Sequence, residues 1–200
     1  MHSSLLSEVC RCSWVDLTKP DYIAYHDQEW GVPLFNDNQL FECLTLEAAQ
    51  AGLSWYTVLK KRENYRAAFA NFDPAKVALF DDIQVAALLE NPGIIRNRLK
   101  IAATINNAAR FLEVQQEFGS FSTYQWRFVK GSVQVNSIKC AADYRVTSPE
   151  SDAMSKDLKR RGFKFIGSTI IYAYMQACGM VNDHHDNCFR KTAVARSSSC

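Results

Sequence analysis

No stretch of this chain stays apolar for the ~20 residues that a bilayer-spanning helix requires, which excludes a helical membrane protein. Its opening Met-His-Ser-Ser-Leu-Leu is too short and polar for a secretory signal, so the expected compartment is cytoplasmic. Paired-cysteine architecture is missing too. The seven cysteines (10, 12, 43, 140, 178, 188 and 200) are odd in number and scattered, which suits reduced thiols or metal ligands rather than a disulfide framework. A net charge of +2 rules out nucleic-acid binding through bulk charge, leaving only local clusters to do so. Repeats and low-complexity tracts are absent, apart from a terminal Ala-Arg-Ser-Ser-Ser-Cys that reads as a mobile tail. Strand-like alternation is scarce as well. What remains is a globular chain of 200 residues, 48% hydrophobic, able to bury a sizeable core.

Helical periodicity dominates, and the expected fold is all-α. Helices are predicted at about 38–51, 55–70, 74–79, 83–90, 97–116, 121–129, 151–161 and 168–180. Asp73-Pro74 fits an N-cap followed by proline at the first helical position, and Gly162 and Gly179 fit C-terminal stops. Asn91-Pro92-Gly93 interrupts two periodic segments. Residues 132–150 have no helical period and read as a connection between lobes. The expected organisation is a helical domain at 37–131 and a discontinuous lobe made of 1–36 and 132–200.

Trp14, Trp30 and Trp55 lie within the first 55 residues, together with Tyr22 and Tyr25. One acid, Glu47, falls among Leu40, Leu44 and Ala51 at three- and four-residue steps, so a helix would project its carboxylate from the apolar face. A buried carboxylate loses several kcal/mol of solvation unless it is paired or protonated. Aromatic walls around such a group suit a flat, cationic ring. The plainer alternative is an exposed Glu47 paired with Lys60, Lys61 or Arg62.

Positive residues collect in three knots: Lys60-Lys61-Arg62, Arg96-Asn97-Arg98-Leu99-Lys100 and Lys159-Arg160-Arg161-Gly162-Phe163-Lys164. Each could be a solvated helix surface or a phosphate contact. Around the second knot, a helix ending before Pro92 and another starting near Arg96 would make a short helix-hairpin-helix. Its glycine, its free helix-start amides and Arg96, Arg98 and Lys100 suit sequence-independent contact with a phosphate. Ile94, Ile95 and the helical stripe beyond them read as core.

Cys12 and His26 near the start, with His184 and Cys188 near the end, form a set suited to tetrahedral zinc. Such a closed Cys2His2 site would be structural and would staple the two chain ends together. Cys10, His185 and Cys200 are competing ligands that spacing leaves open.

These residues stand in runs that closely resemble the 3-methyladenine-DNA glycosylase I family of the helix-hairpin-helix glycosylase superfamily. The likeness covers about Arg11 to Cys188. It is carried by Cys12-Ser13-Trp14, Tyr22-Ile23-Ala24-Tyr25-His26-Asp27-Gln28-Glu29-Trp30-Gly31-Val32-Pro33, Leu46-Glu47 and Gln50-Ala51-Gly52-Leu53-Ser54-Trp55. It continues in Gly93-Ile94-Ile95-Arg96, Leu158-Lys159-Arg160-Arg161-Gly162-Phe163 and Met175-Gln176-Ala177-Cys178-Gly179. The resemblance implies a structural Zn2+ held by Cys12, His26, His184 and Cys188, and a base pocket of Trp14, Tyr22, Tyr25, Trp30, Glu47 and Trp55, with Glu47 the catalytic residue. It also implies a hairpin around Gly93, beside Ile95, Arg96, Arg98 and Lys100, that grips the backbone of double-stranded alkylated DNA; independently of the resemblance, Gly52-Leu53 at the end of the Glu47 helix could wedge into the gap left by a flipped base.

The chemistry follows from the substrate. An enzyme reaching a glycosidic bond inside a duplex must flip the nucleotide out and stack its base on aromatic walls. N3-methylation gives the adenine of the nucleoside a formal positive charge, so the base leaves neutral and needs no general acid. No aspartate occurs from residue 83 through 142, where many members of the superfamily place one beyond the hairpin. The expectation is a monofunctional, monomeric hydrolase with water as nucleophile and no lysine Schiff base. Two other readings are a non-catalytic helix-hairpin-helix DNA-binding module and a zinc-stapled adaptor that binds proteins through its aromatic cluster.

Overall fold

In the computed structural model, which describes residues 9–196, this periodicity becomes a succession of helices. They are α1 (Pro20–Gln28), α2 (Asp37–Gln50), α3 (Trp55–Leu59), α4 (Arg62–Ala68), α5 (Pro74–Val77), α6 (Asp82–Glu90), α7 (Arg98–Phe118), α8 (Phe121–Trp126), α9 (Pro149–Arg160), α10 (Ser168–Ala177) and α11 (Phe189–Arg196). One two-residue parallel pair, β1 (Gln134–Val135) with β2 (Val181–Asn182), is the described strand content. No described helix is long and apolar enough to cross a membrane.

Local sequence fixes several of the helix starts. Asn36 accepts hydrogen bonds from the amides of Asn38 and Gln39, both at 3.1 Å, and caps α2. Its neighbour Asp37 reaches across to accept from the amides of Phe121 (2.8 Å) and Ser122 (2.9 Å), so adjacent residues start α2 and α8. Asp73-Pro74 caps α5 as the sequence indicates. The predicted helix at 55–70 is instead two, broken at Lys60-Lys61, and is followed by a left-handed turn at Ala70, Asn71 and Phe72 (φ 50°, 53° and 54°). Full burial of Phe72, stacked on Phe69 at 6.2 Å, holds that turn in place.

α2 packs on α10, α10 on α9, and α7 on α5, α6 and α8. The main core takes side chains from α2 (Leu40, Phe41, Leu44), α7 (Ile101, Phe111) and α10 (Ile171, Tyr172, Met175), so it draws on both predicted segments. A second apolar cluster gathers Cys12, Val15, Tyr25, Trp30 and Cys188 from the two ends of the chain. The predicted tail lies, from residue 197 on, outside the described residues.

The N-terminal strap is fastened to the end of α10. The amide of Gly31 donates to the Gln176 carbonyl and that of Leu34 to Cys178, both at 3.1 Å. Between them Gly179 (φ +74°) presses its backbone onto the strap, and a Cβ there would lie 2.3 Å from Pro33 N and Val32 C. Both obstacles are main chain. Gly179→Ala is therefore expected to cost about 3 kcal/mol or more, from overpacking plus left-handed strain, read as a lower urea midpoint at unchanged slope.

Candidate functional site

Glu47 sits on α2 with 4% of its surface exposed, and its carboxylate makes no hydrogen bond or ion pair with a described residue. Burial alone pushes its pKa up to about 8. The three cations that offered a plainer explanation are committed elsewhere. Lys61 Nζ donates to the Pro92 carbonyl at 2.7 Å, Arg62 forms a bidentate pair with Glu29, and Lys60 Nζ lies 5.0 Å from the Tyr56 ring centre.

The acid faces a cavity of about 320 Å³ lined by Trp14, Tyr22, Tyr25, Trp30 and Trp55, so all six residues of the predicted pocket meet. Trp14 stands edge-on to Trp30 at 4.9 Å and tilts against Tyr22 at 5.2 Å, while Tyr25 lies 5.3 Å from Trp55. Desolvation, then the nearby Glu47 charge, raises the Tyr25 phenol well above its ordinary range, which keeps it a neutral donor. Four polar lining residues escaped sequence reasoning: Gln50, one turn beyond Glu47, and Tyr144, Arg145 and Gln176. The signal for Gln50 and Gln176 was their place in the motifs. Tyr144 and Arg145 fall in the aperiodic connection, which offered none.

Behind the Trp14 and Trp30 wall lies the cysteine and histidine cluster. Trp30 meets His184 edge-on at 4.6 Å and Trp14 meets His26 at 5.3 Å. The donor atoms of Cys12, His26 and Cys188 all lie within 4.8 Å of one another, and all three residues are buried. His184 is outside that group of three, yet its ring is 5.3 Å from that of His26 and its Nε2 is buried with no partner. Each histidine has its Nδ1 engaged, His26 with Asp27 at 2.7 Å and His184 with Asn182 at 3.0 Å, and Arg11 in turn holds Asp27. That arrangement leaves both Nε2 atoms as lone-pair donors, the outer support a metal-bound imidazole requires. The hydrogen bond from Cys12 pulls the Cys188 thiol down towards a thiolate and pushes Cys12 up. Orphaned nitrogen, thiolate chemistry and oriented rings fit a zinc ion. Of the competing residues, Cys10 is exposed, His185 turns its ring to Tyr144 at 5.4 Å, and Cys200 lies outside the described residues.

The turn between α6 and α7 forms the predicted hairpin, with corrections in detail. The amide of Gly93 donates to Asn91 Oδ1 at 2.8 Å and that of Ile95 to the Tyr65 hydroxyl at 3.1 Å, so neither amide is free for a phosphate. Gly93 is required by a neighbour, because a Cβ there would lie 2.9 Å from Asn64 Cβ. α7 begins at Arg98, capped by Asn97, slightly later than the sequence indicates. Lys100 points inward, its Nζ donating to the carbonyls of Ala49 (2.8 Å) and Ala51 (2.7 Å). Arg96 and Arg98 are exposed, with no ion pair among the described residues, and are the cations this turn offers to solvent. The knot at 159–164 is partly structural, since Arg160 and Arg161 pair with Asp157 and Arg161 also with Glu117. Gly52 (φ +80°) and the exposed Leu53 form a tip at the end of α2, free of neighbours at the Gly52 Cβ position.

The methyladenine glycosylase family model matches residues 14–191. The chain is 52% identical over 178 residues to DNA-3-methyladenine glycosylase 1 of Escherichia coli, covering 89% of this chain and 95% of that protein. It is 45% identical over 183 residues to a DNA-3-methyladenine glycosylase of Haemophilus influenzae, covering 92% and 98%. A crystal structure of 3-methyladenine DNA glycosylase I superposes with a TM-score of 0.87 at 52% identity, over 90% of this chain and 98% of that one. The Staphylococcus aureus 3-methyladenine DNA glycosylase I, in a structure concerned with 3-methyladenine recognition, gives the same score at 37% identity over 90% and 96%.

Proposed function

The chain belongs to the methyladenine glycosylase family, and from that premise we propose that it hydrolyses the N-glycosidic bond of 3-methyladenine in alkylated DNA, releasing the free base and leaving an abasic site. The observation that carries this reading is Glu47, a buried carboxylate without a partner among the described residues, lining an aromatic cavity.

The hairpin holds the phosphate backbone through Arg96 and Arg98, and the Gly52-Leu53 tip enters the stack as the damaged nucleotide turns out. Trp14, Tyr25 and Trp55 then enclose the base. With its pKa at about 8, Glu47 is largely protonated in the empty pocket at neutral pH, and a ring carrying positive charge draws it into the ionised form. Neutral adenine brings no such compensation, so an ionised acid would stay buried and unpaired beside it. The methylated base already leaves easily. Base binding and electrostatics of the extruded state lower the barrier, and water attacks the sugar without a dedicated strong base.

Cys12, His26, His184 and Cys188 would hold a structural Zn2+ whose chemistry is to tie the two chain ends into the back of the pocket. The reading is of a monomer, since one chain supplies every group used above.

The test is chromatography of bases freed from methylated duplex DNA. Free 3-methyladenine, rising with enzyme and absent with unmethylated duplex, is expected. DNA binding that weakens steeply with salt but releases no base would instead make the chain a non-catalytic module.

A further inference from the structure

The cation that sequence reasoning assigned to DNA is spent inside the protein. Lys100 leaves the first turn of α7, just past the hairpin, and its ammonium donates to the carbonyls of Ala49 and Ala51 at 2.8 and 2.7 Å. Those carbonyls lie at the end of α2, where the helix stops supplying its own donors: Ala51 is the C-cap, and Leu53 N turns back onto the Gln50 carbonyl at 2.6 Å. A positive charge there also meets the negative end of the helix dipole. Partial burial costs the ammonium solvation and lowers its pKa, a penalty that a methionine or leucine at this position would avoid.

What this lysine joins gives it a role. On one side, the hairpin is anchored by Lys61 on the Pro92 carbonyl and by the Tyr65 hydroxyl under Ile95. On the other, Ala49 lies two residues after Glu47 and Ala51 immediately precedes the Gly52-Leu53 tip. No other described side chain bonds these two carbonyls, and a Cβ at Gly52 would meet no described atom within 4 Å outside its chain neighbours.

Resting on the glycosylase reading above, we propose that Lys100 is a positioning residue that locks the tip at the end of α2 to the helix leaving the hairpin. Gripping the DNA backbone then sets where Leu53 enters the stack. Lys100 thus serves extrusion of the base rather than affinity for either base or phosphate.

The test compares Lys100→Met and Lys100→Arg with the wild-type chain. Four measurements are made: single-turnover release of 3-methyladenine from alkylated duplex, affinity for the free base by tryptophan fluorescence, affinity for an abasic duplex across salt concentrations, and the emission of 2-aminopurine stacked next to the lesion position. Lys100→Met is expected to slow release on the order of 10- to 100-fold, as a misplacement of about 1 Å does, and to lose the 2-aminopurine signal. Free-base and duplex affinities stay at wild-type values. Lys100→Arg should recover part of both losses, because a guanidinium also donates to carbonyls.

The proposal is overturned if duplex affinity falls and its salt slope drops by about one charge, which marks a phosphate contact. It is equally overturned if free-base affinity falls as far as the rate, or if nothing changes. Should Lys100→Met fail to fold, Lys100→Arg alone decides, by a partial loss confined to release and emission. If the wild type itself releases no base, the glycosylase reading fails, and the emission of the variants still judges the lock.

Discussion

Glu47→Gln is expected to slow release of 3-methyladenine from alkylated duplex by on the order of 100- to 1,000-fold, the scale seen when one well-placed electrostatic group is removed from an active site. Affinity for the free base should fall with it, while affinity for undamaged duplex stays the same, since the acid faces the cavity and not the hairpin. Equal loss of both affinities would make Glu47 a structural residue. The pH dependence gives a second signature. With its pKa raised to about 8, the wild-type carboxyl is mostly protonated at pH 6, so second-order base release should climb with pH and level off above about 8. The glutamine variant should show no such rise.

Stability should move the opposite way. A carboxyl whose pKa rises from 4.5 unfolded to about 8 folded favours the fold below pH 4.5, and that contribution is lost as pH climbs to 8. Above pH 8 glutamine carries no such penalty, so the variant should gain up to about 5 kcal/mol, or roughly 10–20 °C in Tm. A residue that costs stability and confers activity is what a site built for a charged base requires.

Removing the proposed zinc is expected to have the second large effect. Elemental analysis of purified chain should find zinc near one equivalent. Stripping it with a strong chelator, or substituting Cys188→Ser, is expected to cost more than about 5 kcal/mol, because the ion would join residues from both chain ends at one point. The damage should reach the pocket. Trp30 and Trp14 lie edge-on to His184 and His26 at 4.6 and 5.3 Å, so tryptophan emission should shift and free-base affinity fall together. A chain that binds no metal in stoichiometric amount, and melts identically with and without chelator, would refute the assignment.

The helix carrying Glu47 could be read from the sequence because its evidence is local: a capping asparagine and apolar residues at helical spacing. α1 and α11 escaped notice for the converse reason. α1 buries only Tyr25 and His26 among polar neighbours and has no side-chain cap, and α11 is short with half of its residues polar, so long-range packing decides both. The aromatic pocket was legible from composition near Glu47. Tyr144 and Arg145 were not, because the β1 and β2 pairing, 47 positions apart at Gln134 and Val181, brings their segment there. Lys100 shows a sharper limit. A basic run announces charge but not which carbonyls a neighbouring helix leaves open, so the same lysine reads as a phosphate contact until its target is seen. For the metal set, spacing could not separate His184 from His185. In the structure their neighbours differ: the His184 ring bonds Asn182 and lies 5.3 Å from that of His26, whereas the His185 ring lies 5.4 Å from that of Tyr144.

The shared indole wall has a consequence for how the molecule comes to be. Trp14 and Trp30 are made early in synthesis, whereas the imidazole behind Trp30 arrives with His184, more than 150 positions later. A growing polypeptide therefore carries Trp30 long before the His184 ring that stands against it is made.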